Sequence, residues 1–279
     1  MASPVPRALK DLLPAPVRRR LGRAVRDLPY RLADLGPDLA DAAGFGNPPL
    51  PPAALRLRVG RTSARSEFVE AGEASFRDML AAFREAAGNT EGLGRWLDFG
   101  CGCGRIARQV ERLPEVVSLH GVDVDARAVR WLARHAGRGS YRTIGEAPPI
   151  PFPNASFDFI YAISVFTHLP EESQLAWLAE IRRLLRPGGL LLASTHSEQL
   201  TFTLPFLTAG QLDELRERGF LFVQGLQTCK EDSTFHTREY LTRRWSELFD
   251  PVLFKPLGLA GFQDLSVWRR PPGERRVRS

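Results

Sequence analysis

The run Trp96-Leu97-Asp98-Phe99-Gly100-Cys101-Gly102-Cys103-Gly104-Arg105 constrains this chain more than any other stretch. A short apolar strand passes straight into a turn with glycine at every second position, and a helix is expected to begin near Arg105. Alternate glycines permit backbone dihedrals and a close ligand approach that a Cβ would block, while the first N–H groups of the helix point back at the turn. Such a strand, turn and helix belong to a layered α/β fold in which a ligand lies on main chain. The spacing excludes one familiar ligand class. A dinucleotide fingerprint is G-x-G-x-x-G with the helix start aimed at a pyrophosphate, whereas Asp98-x-Gly100-x-Gly102-x-Gly104 leaves Arg105 in the place of the third glycine. A carboxylate directly before the turn repels a pyrophosphate and suits a ligand that carries positive charge.

S-adenosylmethionine (SAM), with an ammonium and a sulfonium, is a ligand of that kind, and the segment resembles motif I of the class I SAM-dependent methyltransferases. The resemblance implies that Asp98, Gly100, Cys101, Gly102 and Gly104 form one side of the cofactor site. It continues along the chain. Ser118–Asp125 reads as a strand ending in acid, followed by an N-cap and a helix over Ala126–His135. Asp123 then resembles the ribose-diol ligand, because a carboxylate accepts charge-assisted hydrogen bonds from both hydroxyls, with Val124 beside it. Gly145-Glu146-Ala147 resembles the stretch leading to the fourth strand, which puts Glu146 and Ala147 near the adenine, with Glu146 one methylene longer than the usual aspartate. Phe157–Ala162 is an apolar run of strand length, and Ala162 and Ser164 fall at its carboxyl end, the side of an open α/β sheet that faces the ligand crevice. Leu184–Gly189 ends a helix with a Pro-Gly stop, and Leu190–Thr195 is the next buried strand.

The implied fold is a doubly wound, seven-stranded, mostly parallel sheet of the Rossmann-like methyltransferase type, over residues 61–279, with a C-terminal insertion of about 200–248 covering the substrate. Within that insertion Thr208–Arg218 is expected as a helix, Phe220–Val223 as a strand, and Thr237 as the N-cap of a helix through Leu248. Pro251–Phe254 and Gln263–Arg269 are expected as the closing antiparallel pair. Residues 1–60 form an extension: Val17, Leu21, Val25, Leu28, Leu32 and Leu35 recur at helical spacing between arginines, and a Gly/Pro-rich linker at 44–52 follows. Phe68–Ala87 reads as a further helix.

Charge narrows the partners. Residues 1–31 carry eight basic side chains against two acids and residues 269–279 five arginines against one glutamate, which leaves 32–268 at −4 despite the overall +6. An acidic body counts against a nucleic-acid face, while the basic N-terminal helix offers a peripheral or partner contact. Asn47-Pro48-Pro49-Leu50 is similar to the N-P-P-[YF] motif of amino-group nucleic-acid methyltransferases, but Leu50 replaces the aromatic ring and the position after the fourth strand reads Ala162-Ile163-Ser164-Val165. No apolar run approaches the roughly 18 residues of a membrane span. Three cysteines, two of them in the glycine turn, offer no disulfide framework and a poor zinc signature, so the expectation is a reducing bacterial cytoplasm and no metal.

For chemistry, His168 and His196 follow strands at the crevice end and His236 lies in the insertion. Each is a candidate to take a proton from the acceptor or to contact it. The expected activity is methylation of a small molecule, most naturally at oxygen. Methylation of a macromolecule, or SAM binding without catalysis, stays open.

Overall fold

A computed structural model describes residues 32, 35–42, 49–60, 64–197, 199, 207–225 and 232–273. The chain divides into two compact units, Met1–Ala71 and Gly72–Ser279. The division falls at 71/72, inside the helix Arg65–Ala87.

The first unit contains α1 (Leu35–Ala42) and α2 (Ala53–Gly60), and α3 (Arg65–Ala87) begins in it and continues into the second. The basic helix expected over 17–35 lies outside the described residues except for Leu32 and Leu35, which are exposed. Arg56 of α2 is fully buried and its guanidinium donates to the Pro51 carbonyl.

The second unit continues with β1 (Arg95–Phe99), α4 (Ala107–Val110), β2 (Ser118–Asp123), α5 (Ala126–His135), β3 (Ser140–Thr143), β4 (Phe157–Ala162), α6 (Glu171–Leu184) and β5 (Leu185–Ser197). It closes with α7 (Ala209–Arg218), β6 (Phe220–Val223), β7 (Ser233–His236), α8 (Arg238–Trp245), β8 (Asp250–Leu259) and β9 (Gln263–Arg269). Strands β3, β2, β1, β4 and β5 lie side by side in parallel. β9 pairs antiparallel with β5, and β8 with β9, giving the seven strands expected. Two more were not expected as part of the sheet. β7 pairs in parallel with His196 and Ser197 at the far end of β5, and β6 pairs antiparallel with β7. β5 is thus flanked by β9 along Leu190–Thr195 and by β7 beyond it.

The central strands are apolar because both faces are covered, the usual condition of parallel sheets. One face buries Leu97, Phe99, Ile160 and Leu191 against Trp177, Leu178 and Ile181 of α6 and Trp245 of α8. The other buries Trp96, Phe159, Tyr161 and Leu192 against Met79, Ala82 and Phe83 of α3. Phe83, Trp96 and Phe159 form an aromatic triangle with centroids 4.3–4.8 Å apart. Between these layers the carboxyl ends of β1, β2, β4 and β5 open on one side of the sheet.

Candidate active site

The glycine turn is built as its sequence demands. Gly100, Gly102 and Gly104 all have positive φ, at 88°, 51° and 83°, in the region that side chains with a Cβ seldom enter. The turn is folded back on β2, with Gly100 N and Cys101 N both donating to the Val122 carbonyl, at 2.8 and 3.1 Å. Packing adds a second reason for glycine. A Cβ on Gly100 would sit 2.3 Å from Cγ2 of Val165, and one on Gly104 would sit 2.4 Å from Cδ1 of Leu132. Protein side chains therefore occupy part of the room reserved for a ligand in the sequence reading.

Asp98 ends β1 beside this turn and is buried. Burial pushes its carboxyl up to about 8; the Asp123 charge adds to the rise, while the Tyr161 hydroxyl and the Arg105 guanidinium oppose it. The Arg105 Nε is itself buried without a hydrogen-bond partner. Asp123 ends β2, and its two oxygens accept from Gly102 N at 2.7 Å and from Asp125 N at 2.8 Å. Burial raises its carboxyl as well, against the pull of those main-chain donors. Each carboxylate oxygen retains a second lone pair, so Asp123 can hold the turn and still accept from a diol. Val124 next to it is 53% exposed, an apolar ledge at the rim. Asp125 caps α5 by accepting from Arg127 N and Ala128 N. Glu146 and Ala147 are exposed beyond β3.

These features fit SAM. A buried carboxylate that burial holds largely protonated gains a charged partner when an ammonium arrives. The alternate glycines, the acid at the end of β2 and an apolar surface beside it complete the fit. Cys101 and Cys103 are buried, and burial pushes the Cys101 thiol up, keeping it neutral. Among the described residues no group of three His, Cys, Asp or Glu side chains gathers to hold a metal ion.

The comparisons agree with this geometry. Residues 97–189 match the methyltransferase domain family. The chain carries a class I SAM-dependent methyltransferase domain. It is 34% identical over 145 residues to the O-methyltransferase resE of Aspergillus sclerotiorum, covering 44% of this chain and 53% of that protein. It is 35% identical over 98 residues to a sterol 24-C-methyltransferase of Eremothecium gossypii, covering 34% and 26%. The chain thus spans between about a quarter and about half of the length of these relatives. Among solved structures, the magnesium protoporphyrin IX methyltransferase of Synechocystis with bound SAH shares the fold at 18% identity and a TM-score of 0.51, over 74% of this chain and 88% of that one. SAM is the cofactor of the domain.

At the carboxyl end of β4, Ala162 is fully buried and Ser164 has a φ of 59°, unusual for a residue with a side chain. Ser164 N donates to Ser194 Oγ at 2.8 Å and Ser164 Oγ to Gln263 Oε1 at 3.2 Å. Such over-determined strain is characteristic of ligand-facing positions. Val165 fills the hollow of Gly100, and His168 follows one turn later, its N–H donating to Val165 O at 3.1 Å.

The domain separates the three candidate histidines. His168 and His196 face each other with ring centroids 6.3 Å apart, and His196 also lies 5.4 Å from Phe235 and 6.1 Å from Phe262. His236 points to the opposite face of β7, packed against Phe220 and Tyr240. Gln174 Nε2 donates to the carbonyls of Phe166 and Leu169, so its Oε1 must accept from His236 Nε2, at 3.0 Å. Burial, reinforced by the His196 charge, depresses the His236 imidazole to about 3. At neutral pH His236 is thus an uncharged core group whose Nε2 is already engaged.

Sequence reasoning missed Gln174, Thr234 and Asp232, which hold the loop after β4. Gln174 left a signal, as the one polar member of a stripe that continues through Trp177, Leu178 and Ile181. Thr234 and Asp232 left none.

Proposed function

We propose that the methyltransferase domain transfers the methyl group of SAM to a hydroxyl of a small-molecule acceptor, with His168 as the group that accepts the proton. The observation that carries the reading is the proximity of two unlike sets of residues at one end of the sheet. Asp98, Asp123 and Val124 suit the cofactor, and Val165, whose side chain lies against Gly100, precedes His168 by one turn, with His196 beside that ring. SAM when bound supplies an electrophilic methyl on a positively charged sulfur. Asp98 holds the ammonium, Asp123 the ribose hydroxyls, and Val124 covers the adenine with Glu146 at its edge. His168 removes a proton from the acceptor oxygen, a contribution of about 10²–10⁴-fold, whereas alignment of the reacting pair supplies about 7–11 kcal/mol. A histidine base is needed for a hydroxyl and not for a nucleophile that is already deprotonated, which favours oxygen. Relatives named as O-methyltransferases support the same choice, and the net −4 of residues 32–268 favours a small acceptor over nucleic acid.

We read the insertion around 200–248 as the cover of the acceptor site, residues 1–60 as a peripheral arm, and the whole as a bacterial cytoplasmic enzyme. No described helix is long and apolar enough to cross a membrane. The test is incubation of the protein with methyl-labelled SAM and a fractionated bacterial extract, followed by mass analysis. A labelled methyl ether or ester is expected. Label carried only on nitrogen or carbon, or SAM binding with no turnover, refutes the proposal.

A further inference from the structure

Asp232 and Thr234, at the start of β7, lie 64 and 65 residues beyond His168 and Leu169, yet they are bonded to the loop after β4 at three points. Thr234 N donates to Thr167 O at 2.8 Å, Thr234 Oγ1 donates to Leu169 O at 2.7 Å, and Nδ1 of His168 lies 2.7 Å from the carbonyl oxygen of Asp232. A carbonyl oxygen can only accept, so the last contact requires the proton to be on Nδ1. We propose that the hairpin positions His168, with the Asp232 carbonyl selecting the Nδ1–H tautomer and thereby presenting Nε2 as the proton acceptor of the ring. The inference rests on the reading of His168 as the base and names what makes it one.

The ring is given little freedom to choose otherwise. Gln174, whose Oε1 meets His236 of the hairpin, donates from Nε2 to Phe166 O at 3.0 Å and to Leu169 O at 2.9 Å. The carbonyls at 166, 167 and 169 are therefore all engaged, and His168 is carried on backbone held before and after it. Asp232 is fixed in turn, since its Oδ1 accepts from Gly225 N at 2.9 Å. The two imidazoles are sorted by the same logic with opposite results. His236 is bonded through Nε2 to Gln174 and keeps Nδ1 for a buried interior, whereas His168 is bonded through Nδ1 and keeps Nε2. Tautomer choice by a hydrogen bond to the other nitrogen is the general means by which a protein decides which ring atom is basic. Thr234 and Asp232 are thus positioning residues that act through His168, and the hairpin couples the cover of the site to its chemistry.

The test uses the full chain with ¹⁵N-labelled histidine, read by two-bond proton–nitrogen correlation at a pH above the imidazole range and assigned with a His168→Gln variant. His168 is expected with a protonated Nδ1 and an unprotonated Nε2. Thr234→Val removes one stitch and moves the ring toward a mixture of tautomers, Thr234→Ser restores the wild-type pattern, and neither alters SAM binding by calorimetry. A wild-type His168 protonated on Nε2, or averaged between the two forms, overturns the proposal without any variant, as does a Thr234→Val spectrum that keeps a pure Nδ1–H ring. If the tautomer is as expected but His168→Gln leaves methyl transfer intact, the positioning is upheld and the assignment of the base fails instead.

Discussion

Replacement of Asp98 by Asn should stabilise the free protein and weaken SAM binding, and both effects should depend on pH in a defined way. In the folded chain the Asp98 carboxyl sits at about 8, against an ordinary 3.8. The folded state therefore binds this proton more tightly than the unfolded state does. Stability from this group is fully present below the ordinary value, declines as pH rises above it, and levels off beyond about 8. Each unit of pH between those limits costs about 1.4 kcal/mol, so raising pH from about 5 to about 7 costs about 3 kcal/mol through Asp98. Asn has the same shape and does not titrate. The gap in stability between Asp98→Asn and wild type should widen by that amount over the same interval, or by about 6–12 °C in melting temperature for a unit of this size. Thermal or urea unfolding without cofactor at a series of pH values measures it. The binding half follows from the same proton. An ammonium can be held only by the ionised carboxylate, so SAM binding near neutrality should release close to one proton, seen as a difference in apparent enthalpy between buffers of unlike ionisation heat. A stability gap that stays flat from about pH 5 to 8 would falsify the argument, as would proton-neutral binding of SAM.

Three further outcomes are expected. Asp123→Ala removes the carboxylate that accepts from Gly102 N–H and that we propose holds the ribose, and each lost charge-assisted bond is worth about 1.5–3 kcal/mol. SAM affinity measured by calorimetry should fall at least about tenfold, and a change below twofold with an intact circular dichroism spectrum speaks against the ribose assignment. Gly100→Ala meets Val165 Cγ2 at 2.3 Å at a φ of 88°, so unfolding should show a loss of about 1–3 kcal/mol, part of it recovered in a Gly100→Ala/Val165→Ala double variant; no loss means that the turn relaxes freely. His168→Ala should lower kcat about 10²–10⁴-fold with SAM affinity unchanged, while His236→Gln should reduce stability and leave the pH profile of turnover in place, and the reverse pattern exchanges their roles.

The part of the fold that could be read from sequence is the part where backbone needs and residue types coincide. The glycine turn, the acid ending β2, the N-caps Asp125, Thr208 and Thr237, and the apolar strands β4 and β5 each carry a local signature; the observed bounds fall close to those expected except at β5, which begins at Leu185 and not at Leu190. β3 was not legible because Ser140-Tyr141-Arg142-Thr143 is a mostly exposed edge strand with no apolar run. β7 was hidden for a different reason. Its four residues, Ser-Thr-Phe-His, are all buried, yet three are polar, and the bonds that satisfy Thr234 and His236 reach the loop after β4 and Gln174, which no local pattern announces. In the candidate site, the glycine turn and the acid that braces it were legible because main-chain geometry imposes them. The histidines were legible only as candidates. Which face of β7 His236 takes depends on register with β5, and register is set by residues far apart in sequence.

β5 is a branching strand. It pairs antiparallel with β9 through Thr195 and in parallel with β7 from His196 onward, so the two partnerships change over at one peptide bond. A sheet that forks there can exchange its second branch for another without reopening the seven strands beneath. Strands β6 and β7 hang on that second branch, so sequence changes there can reshape the ground around His168 while the glycine turn and Asp123 stay as they are.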